Sequence, residues 1–381
     1  MRDFSIIAEK NRHPEKIDVP FLTLVLILCG IGFTTLYSGS LGYGVRIFND
    51  QYYFVKRQGI NLIAGIIAMV ILSSINLEIL RKHLPKIVII TLVLSFMIFV
   101  PGIGITKNGA ARWIGIGPAT FQPSELVKLV LVFFLANLFA KKHDRLDEPE
   151  VSVYPAAIMT SVLVGTVYLQ RNFSTALLLI IIALSVFFVA NVRISWFVKF
   201  CLLSIPLLAL MVVSEQYRVN RILSYLYPER YPFSLGYQVN AALQAVSEGG
   251  FWGRGIGNGI RKISSIPEVQ SDFIFAVWAE EMGFVGVVGY FAVLFAFAWR
   301  GFKISLSVND RFRSLLAFGC TLLILLQSLM NCGVVVRAFP ATGIPLPFFS
   351  SGGSSLLITL CLCGLIINVS RFKPEGDIQD A

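Results

Sequence analysis

The chain is 381 residues long, and 56% of its residues are hydrophobic whereas only 14% are charged. A soluble domain carries about 25% charged residues, so the composition excludes a soluble globular protein. The net charge of +10 does not indicate a nucleic-acid partner, because in a membrane protein the distribution of lysine and arginine between the loops is the informative feature.

Apolar runs of about 20 residues recur along the chain, and a helix of that length crosses the hydrocarbon core of a bilayer. They predict an all-α, polytopic integral membrane protein whose membrane domain occupies residues 20–370. Ten transmembrane helices are expected, at residues 20–38, 55–75, 86–104, 122–140, 151–169, 174–192, 195–213, 272–299, 312–336 and 352–370. The first is interpreted as an uncleaved anchor, because the preceding segment is charged and no small-residue cleavage site follows cleanly.

An even number of helices places the N-terminal segment 1–19 and the C-terminal tail 371–381 on the same side of the membrane. Lysine and arginine favour that side clearly once the long loop 214–271 is left out of the comparison. Both ends are therefore predicted to be cytoplasmic, and 214–271 is predicted to be a large extracytoplasmic loop. Its glycines follow no predicted strand, which favours a turn-rich loop at the membrane surface over a phosphate-binding loop.

The six cysteines lie in apolar runs, and the three histidines lie in short basic segments. No cysteine has a partner at the spacing of a metal site with a histidine nearby. Buried apolar cysteines and solvated histidines are expected, and no metal ligands are predicted.

Four polar clusters map to the predicted extracytoplasmic side, at residues 108–128, 170–175, 218–272 and 337–355. Prolines and glycines in the last cluster predict irregular backbone at membrane depth, which is tolerated only where it is buried or lines a watery cavity. The clusters are expected to converge on one cationic cavity that suits a pyrophosphate or another anionic headgroup. Its cations would be Arg112, Arg171, Arg218, Arg221, Arg254, Arg261, Lys262 and Arg337.

Glu125 and Lys128 lie three residues apart, on one face of the fourth predicted helix. One interpretation is an internal ion pair that fixes helix packing. The other is the wall of a polar cavity, with Lys128 available to an anionic substrate. The sequence leaves both open, because charges inside a membrane are functional by default but also neutralise each other.

Asp272 falls where the long loop becomes the eighth predicted helix. A helix that starts near Ser271 would place it in the first turn, where the helix dipole favours a carboxylate without any chemistry. An acid among cations instead suits general-base work on a hydroxyl. Glu280 and Glu281 lie about 12 Å deeper and point in different directions, so they are expected to pair with other helices.

Four motifs, in this order, resemble the SEDS family (shape, elongation, division and sporulation), to which FtsW and RodA belong. They are GAARWIGIG…FQPSELVKL, GYQVNAALQAVSEGGFWGRGIGNG, PEVQSDFIFAVWAEEMGFVG and ATGIPLPFFSSGGSSLL. The resemblance implies polymerisation of glycan strands from lipid II at the outer face of the bacterial cytoplasmic membrane. It also implies a class B penicillin-binding protein and other divisome or elongasome membrane proteins as partners. The stretch RILSYLYPERYPFSLGYQ favours the FtsW branch.

The resemblance further implies the site residues. Asp272 corresponds to the acid of the family's (S/T)DFIFA motif, which is required for catalysis. With Arg221 from the cationic cluster, the expected substrate-binding residues are Arg112, Gln122, Ser124, Glu125, Lys128, Arg221, Ser350, Ser351 and Ser354. Arginines, Lys128 or a divalent cation, Mg²⁺ or Mn²⁺, would offset the charge of a leaving pyrophosphate, and no other cofactor is expected.

The sequence departs from the family pattern at two places. The turn that usually reads QPDLGTA reads QRNFSTA, so that Arg171 replaces the proline, Asn172 the aspartate and Ser174 the glycine. Any ligand provided by residue 172 is therefore neutral. Arg337 stands where members usually have an uncharged residue.

The resulting hypothesis is an inverting glycosyltransferase. Asp272 would accept the proton of the 4-hydroxyl of lipid II during attack on C1 of a strand carried by undecaprenyl pyrophosphate. Two alternatives are a lipid II flippase, which ten helices with internal charges also fit, and a non-catalytic scaffold for the penicillin-binding protein. Clustering of the polar groups at one face argues against the flippase, and the intact SDFIFA motif argues against the scaffold.

Overall fold

The structure, a computed structural model, describes residues 16–107, 109–116, 119–227, 235–259 and 269–372. Within these ranges the chain forms twelve α-helices and one three-stranded antiparallel sheet in the order β1–β2–β3. The helices are α1 Val19–Phe48, α2 Tyr53–Ser74, α3 Leu77–Met97, α4 Pro123–Lys141, α5 Val153–Leu169, α6 Phe173–Val189, α7 Ile194–Val213, α8 Gln216–Leu226, α9 Leu235–Gly249, α10 Ile274–Leu306, α11 Arg311–Val335 and α12 Gly353–Ser370. The strands are β1 Gly104–Lys107, β2 Ala110–Ile116 and β3 Ala119–Phe121.

Each of the ten predicted transmembrane helices has a counterpart in the predicted order, and α8 and α9 lie within the long loop. In the described part of the chain, seven helices are long and apolar enough to cross a membrane: α1, α2, α4, α7, α10, α11 and α12. Helices α5 and α6 are apolar but have only 17 residues each. The polytopic, all-α class is therefore confirmed.

Helices α4, α11 and α12 form the interior of the bundle, whereas α2 and α7 expose most of their apolar surface. Outward-facing side chains such as Ile60 and Leu203 suit contact with lipid, where every backbone polar group must be satisfied within the protein. Helices α2 and α12 pack closely through a small residue, since a Cβ atom at Gly364 would lie 2.6 Å from the Met69 carbonyl oxygen. Small residues at such contacts let helix backbones approach each other.

The sheet between α3 and α4 was not predicted. The third predicted helix ended at residue 104, but α3 ends at Met97 and Gly104 begins β1. A Cβ atom at Gly104 would overlap the carbonyl oxygen of Ile98, so only glycine fits where the chain turns back. The sheet places Arg112 on β2, at the end of the bundle where α4 begins.

Helix α10 is interrupted at Gly283, which adopts φ 62° and ψ −164°, whereas the prediction was a continuous helix over 272–299. Backbone groups at the glycine-rich end of the long loop form hydrogen bonds with the helix backbone on both sides of Gly283. The amide of Arg254 donates to the Glu280 carbonyl at 3.1 Å, and the amide of Phe284 donates to the Gly250 carbonyl at 2.9 Å. A Cβ atom at Gly283 would lie 2.2 Å from the backbone nitrogen of Gly253, so close backbone packing explains these glycines.

Glu280 and Glu281 are both buried beside this interruption. The hydroxyl of Ser38 on α1 donates to Oε1 of Glu281 at 2.5 Å, which confirms that this acid pairs with another helix. Glu280 lies against the long loop, because a Cβ atom at Gly259 would lie 2.9 Å from Glu280 Oε2. Neither acid belongs to the turn that carries Asp272.

Candidate active site

Asp272 lies in a turn before α10, not in its first turn. The helix begins at Ile274, and its N-cap position is Phe273. Asp272 therefore lies just before the N-cap rather than in the first helical turn, and the helix-start interpretation stays open beside the general-base one. The carboxylate is half-buried, and Ser271 Oγ donates to its Oδ1 at 3.3 Å.

The turn that carries Asp272 is held by the irregular segment between α11 and α12, residues 336–352. The amide of Ser351 donates to the Gln270 carbonyl at 2.9 Å, and the hydroxyl of Ser350 donates to the Ser271 carbonyl at 2.5 Å. Ser350 Oγ also accepts from the Leu346 amide at 2.7 Å. Ser350 and Ser351, both expected to bind substrate, thus fix the backbone beside the acid.

Arg112 lies near this acid, and Arg221 lies near Arg112. A Cβ atom at Gly343 would lie 3.6 Å from Asp272 Oδ2 and 3.9 Å from an Nη atom of Arg112, so both side chains border the space above this glycine. Arg221 on α8 donates to the Ala341 carbonyl at 3.2 Å. Burial, and then repulsion by Arg221, lower the pKa of the Arg112 guanidinium, which nevertheless remains charged at neutral pH. One of the predicted cations, Arg112, therefore shares this space with the acid, and the larger cationic cavity stays a prediction.

The QRNFSTA turn reaches the same place. Arg112 donates to the Arg171 carbonyl at 2.6 Å, and Arg171 donates to the Gly109 carbonyl at 3.1 Å. Arg171 also forms an exposed ion pair with Glu215, at 3.7 Å between nitrogen and oxygen. Its φ of 57° lies in the left-handed region.

Arg171→Pro is expected to destabilise the protein by about 1–3 kcal/mol relative to Arg171→Gly. Proline fixes φ near −65° and removes the amide that donates to the Tyr168 carbonyl, whereas glycine adopts the left-handed conformation without strain. Both variants lose the same guanidinium, so thermal unfolding of the two in detergent isolates the backbone contribution. Equal unfolding temperatures would contradict the importance of the left-handed turn.

Asn172, Ser124, Gln122 and Ser354 connect three elements around α4. Asn172 Nδ2 donates to Ser124 Oγ at 3.3 Å, and both side chains are buried. The backbone amide of Gln122 donates to Ser354 Oγ at 3.0 Å, and this hydrogen bond joins the start of α4 to α12. Gln122, Ser124 and Ser354, which were predicted to bind substrate, therefore take part in contacts between helices, and their binding role stays a prediction.

Lys128 and Glu125 form an ion pair with 2.7 Å between Nζ and Oε2, and each side chain is only 2% exposed. Lys128 Nζ also donates to Gln327 Oε1 at 2.7 Å, and Gln327 Nε2 donates to the Pro345 carbonyl at 2.9 Å. The arrangement matches the ion-pair interpretation and links α4, α11 and the irregular segment. The substrate-binding role of Lys128 stays a prediction.

The remaining predicted cations have other partners or lie elsewhere. Arg218 is buried, with its guanidinium 4.5 Å from the centre of the Tyr168 ring. Arg254 pairs with Glu248 at 2.8 Å, and Arg337 donates to the Tyr225 carbonyl at 3.3 Å. Outside the described residues lie Arg261, Lys262 and Glu268.

The sequence interpretation missed four polar residues whose side chains bond to the predicted polar clusters: Arg57, Gln58, Gln327 and Asn331. Gln58 donates to the Ser350 carbonyl at 3.0 Å, and Arg57 donates to Thr120 Oγ1 at 3.1 Å. Gln327 and Asn331 lie four residues apart, hence on one face of an apolar helix. That spacing was the signal available in the sequence.

The divalent cation expected from the sequence stays a prediction. Across the ranges that the structure covers, no three His, Cys, Asp or Glu side chains lie close enough together to hold a metal ion. Asn172, which replaces the family's aspartate, directs its amide at Ser124. Among the described side chains, Arg112 places positive charge near Asp272.

Comparison with known proteins gives a consistent result along the whole chain. A family model described as "Cell cycle protein", which covers FtsW, RodA and SpoVE, matches residues 20–375. A probable peptidoglycan glycosyltransferase FtsW from Geobacter sp. (strain M18) is 33% identical over 359 residues, which are 94% of this chain and 98% of the relative. The stage V sporulation protein E of Bacillus subtilis is 34% identical over 356 residues, 93% of this chain and 97% of the relative.

Solved structures share the fold. A chain of a peptidoglycan synthase complex, described as coordinating polymerization and crosslinking, is 28% identical with a TM-score of 0.77; the match covers 94% of this chain and 99% of the other. The rod shape determining protein RodA of Thermus thermophilus is 27% identical with a TM-score of 0.67, over 93% and 97% of the two chains. Because division and sporulation relatives are equally similar, the preference for the FtsW branch stays a prediction.

Proposed function

The chain belongs to the family of cell cycle proteins that includes FtsW, RodA and SpoVE, and on that premise we propose that, as a peptidoglycan glycosyltransferase, it polymerises glycan strands from lipid II. One observation carries the proposal: Asp272 and Arg112 border the same space at Gly343, and Arg221 lies close enough to Arg112 to lower its pKa. An acid and two cations in that arrangement suit proton removal from a hydroxyl together with stabilisation of a leaving pyrophosphate.

In the proposed reaction, a carboxylate oxygen of Asp272 accepts the proton of the 4-hydroxyl of the N-acetylglucosamine of lipid II. The hydroxyl oxygen forms a bond to C1 of the donor sugar, while the bond from C1 to the undecaprenyl pyrophosphate oxygen breaks. Attack from the opposite face inverts the configuration at C1. Arg112 and Arg221 offset the negative charge that develops on the pyrophosphate.

The same proposal places the site at the outer face of the bacterial cytoplasmic membrane, with both chain ends in the cytoplasm. The distribution of lysine and arginine supports this orientation. A class B penicillin-binding protein is the proposed partner, supported by the structural similarity to a chain of a peptidoglycan synthase complex. Other divisome or elongasome membrane proteins are expected to join them.

Fluorescent lipid II in liposomes that contain the purified chain and its penicillin-binding partner tests the function. We expect glycan polymers whose length increases with time, because the acid and arginines act on lipid-borne substrate. Movement of the label between leaflets without any polymer would instead indicate the flippase. Partner binding with neither polymer nor movement would indicate the scaffold. A divalent cation is the alternative source of positive charge for the leaving pyrophosphate. Repeating the polymerisation assay with a metal chelator measures the contribution of such a cation.

A further inference from the structure

Asn331 lies one turn before the end of α11 and is buried. Its Nδ2 atom donates to the backbone carbonyl of Asp272 at 2.8 Å and to that of Ile344 at 2.9 Å. Both hydrogens of the amide are therefore used on two segments that border the space at Gly343. The Asn331 side chain therefore links the peptide bond that follows Asp272 to the segment that carries Ile344.

Two other hydrogen bonds of the turn are made to the carbonyls that precede that of Asp272. Ser351 holds the carbonyl of Gln270, and Ser350 holds the carbonyl of Ser271. Asn331 donates to the next carbonyl along the chain, that of Asp272. The plane of that peptide sets the direction of the chain as it enters α10, and with it the position from which the Asp272 side chain extends.

The presence of a buried asparagine at position 331 is not explained by its own hydrogen bonding, because one of its polar atoms is left without a partner in the described part of the chain. Its Oδ1 is buried and has no hydrogen-bond partner in the described part of the chain, which is unfavourable for an amide in an apolar helix. Asn368 on α12 has the same features: it is buried, its Nδ2 donates to two carbonyls, of Leu72 and Ile75, and its Oδ1 lacks a described partner. Asn368, however, holds the end of α2 and not the turn of the acid.

We propose that Asn331 is a positioning residue that holds the peptide of Asp272 so that its carboxylate faces the space at Gly343. The part of this inference that concerns rate rests on the proposed function. The part that concerns geometry does not, because the two hydrogen bonds exist whatever the acid does. Asn331→Leu keeps the approximate size of the side chain and removes both donors.

The first experiment measures geometry without any substrate. Asp272→Cys is labelled with a maleimide in three backgrounds: the otherwise native chain, Asn331→Leu and Asn368→Leu. The labelled peptide is identified by mass spectrometry, because the native cysteines are also present. We expect the labelling rate at residue 272 to change several-fold in Asn331→Leu and to stay the same in Asn368→Leu. Equal rates in all three backgrounds would overturn the proposal.

The second experiment measures polymerisation of lipid II by the chain with its partner. We expect Asn331→Leu to lower kcat by about 10²-fold with little change in KM, because a small displacement of a reacting group costs about that factor. Asn368→Leu, which loses an equivalent pair of hydrogen bonds, should retain the native kcat per folded molecule. A fall in kcat of the same size in both variants would show that Asn331 acts only through stability, and would overturn the proposal.

The two experiments separate this inference from the proposed function. If the native chain makes no polymer but the labelling rate still changes in Asn331→Leu alone, the glycosyltransferase proposal fails and the geometric assignment of Asn331 stands. If the native chain polymerises and neither rate changes in Asn331→Leu, the assignment of Asn331 fails and the proposed function stands.

Discussion

Replacement of Asp272 by asparagine is expected to reduce polymerisation of lipid II by about 10²–10⁴-fold, the contribution typical of a general base. The amide has almost the shape of the carboxylate but cannot accept the proton of the attacking hydroxyl. The fold should be unaffected, because the bond from Asn331 is made to the backbone carbonyl and the side-chain contact with Ser271 is retained by an amide oxygen. The effect is measured as the amount of polymer that the purified complex forms per minute, compared between the native protein and the variant.

Asp147→Asn is a suitable control for this variant. Asp147 is an exposed acid that pairs with Arg193 and has no contact with the site. The Asp147→Asn variant should polymerise lipid II at the native rate and unfold at the native temperature, because surface ion pairs contribute little to the free energy of unfolding. If Asp272→Asn retained the native rate while remaining folded, Asp272 would not be the base and the proposed mechanism would be wrong.

Breaking the ion pair between Glu125 and Lys128 is expected to have the largest effect on stability. Lys128→Met removes the cation and leaves the Glu125 carboxylate buried without it, which typically lowers the free energy of unfolding by about 3–5 kcal/mol. The double variant Glu125→Gln with Lys128→Met removes both charges and should be considerably more stable than the single variant. Unfolding of the four proteins of the cycle in detergent gives the coupling between the two residues.

The same cycle separates the two interpretations of Lys128. If the double variant folds and polymerises lipid II with a native KM, the pair serves packing. If it folds but its KM for lipid II rises strongly, Lys128 contacts the substrate. Additive losses of stability, with no coupling between the two sites, would contradict the ion pair itself.

The fold was largely predictable, because each membrane helix satisfies its backbone hydrogen bonds within one apolar run. The sheet was not predictable in the same way. Its strands have four, seven and three residues, and their hydrogen bonds join different segments, so no single segment carries a clear pattern. The interruption of α10 was missed for the same reason, since Gly283 depends on backbone groups supplied by Gly250 and Arg254.

By itself, the sequence determined that this is a membrane protein, the order of its apolar helices, and which motifs contribute polar residues. Through the motifs it also indicated Asp272 and its cationic surroundings. Only the tertiary structure decided that Lys128 is paired with Glu125 and that Asn331 holds the acid's peptide. The physical reason is that helix formation in lipid depends on neighbouring residues, whereas the site consists of hydrogen bonds between residues far apart in the chain, which helix packing alone brings together.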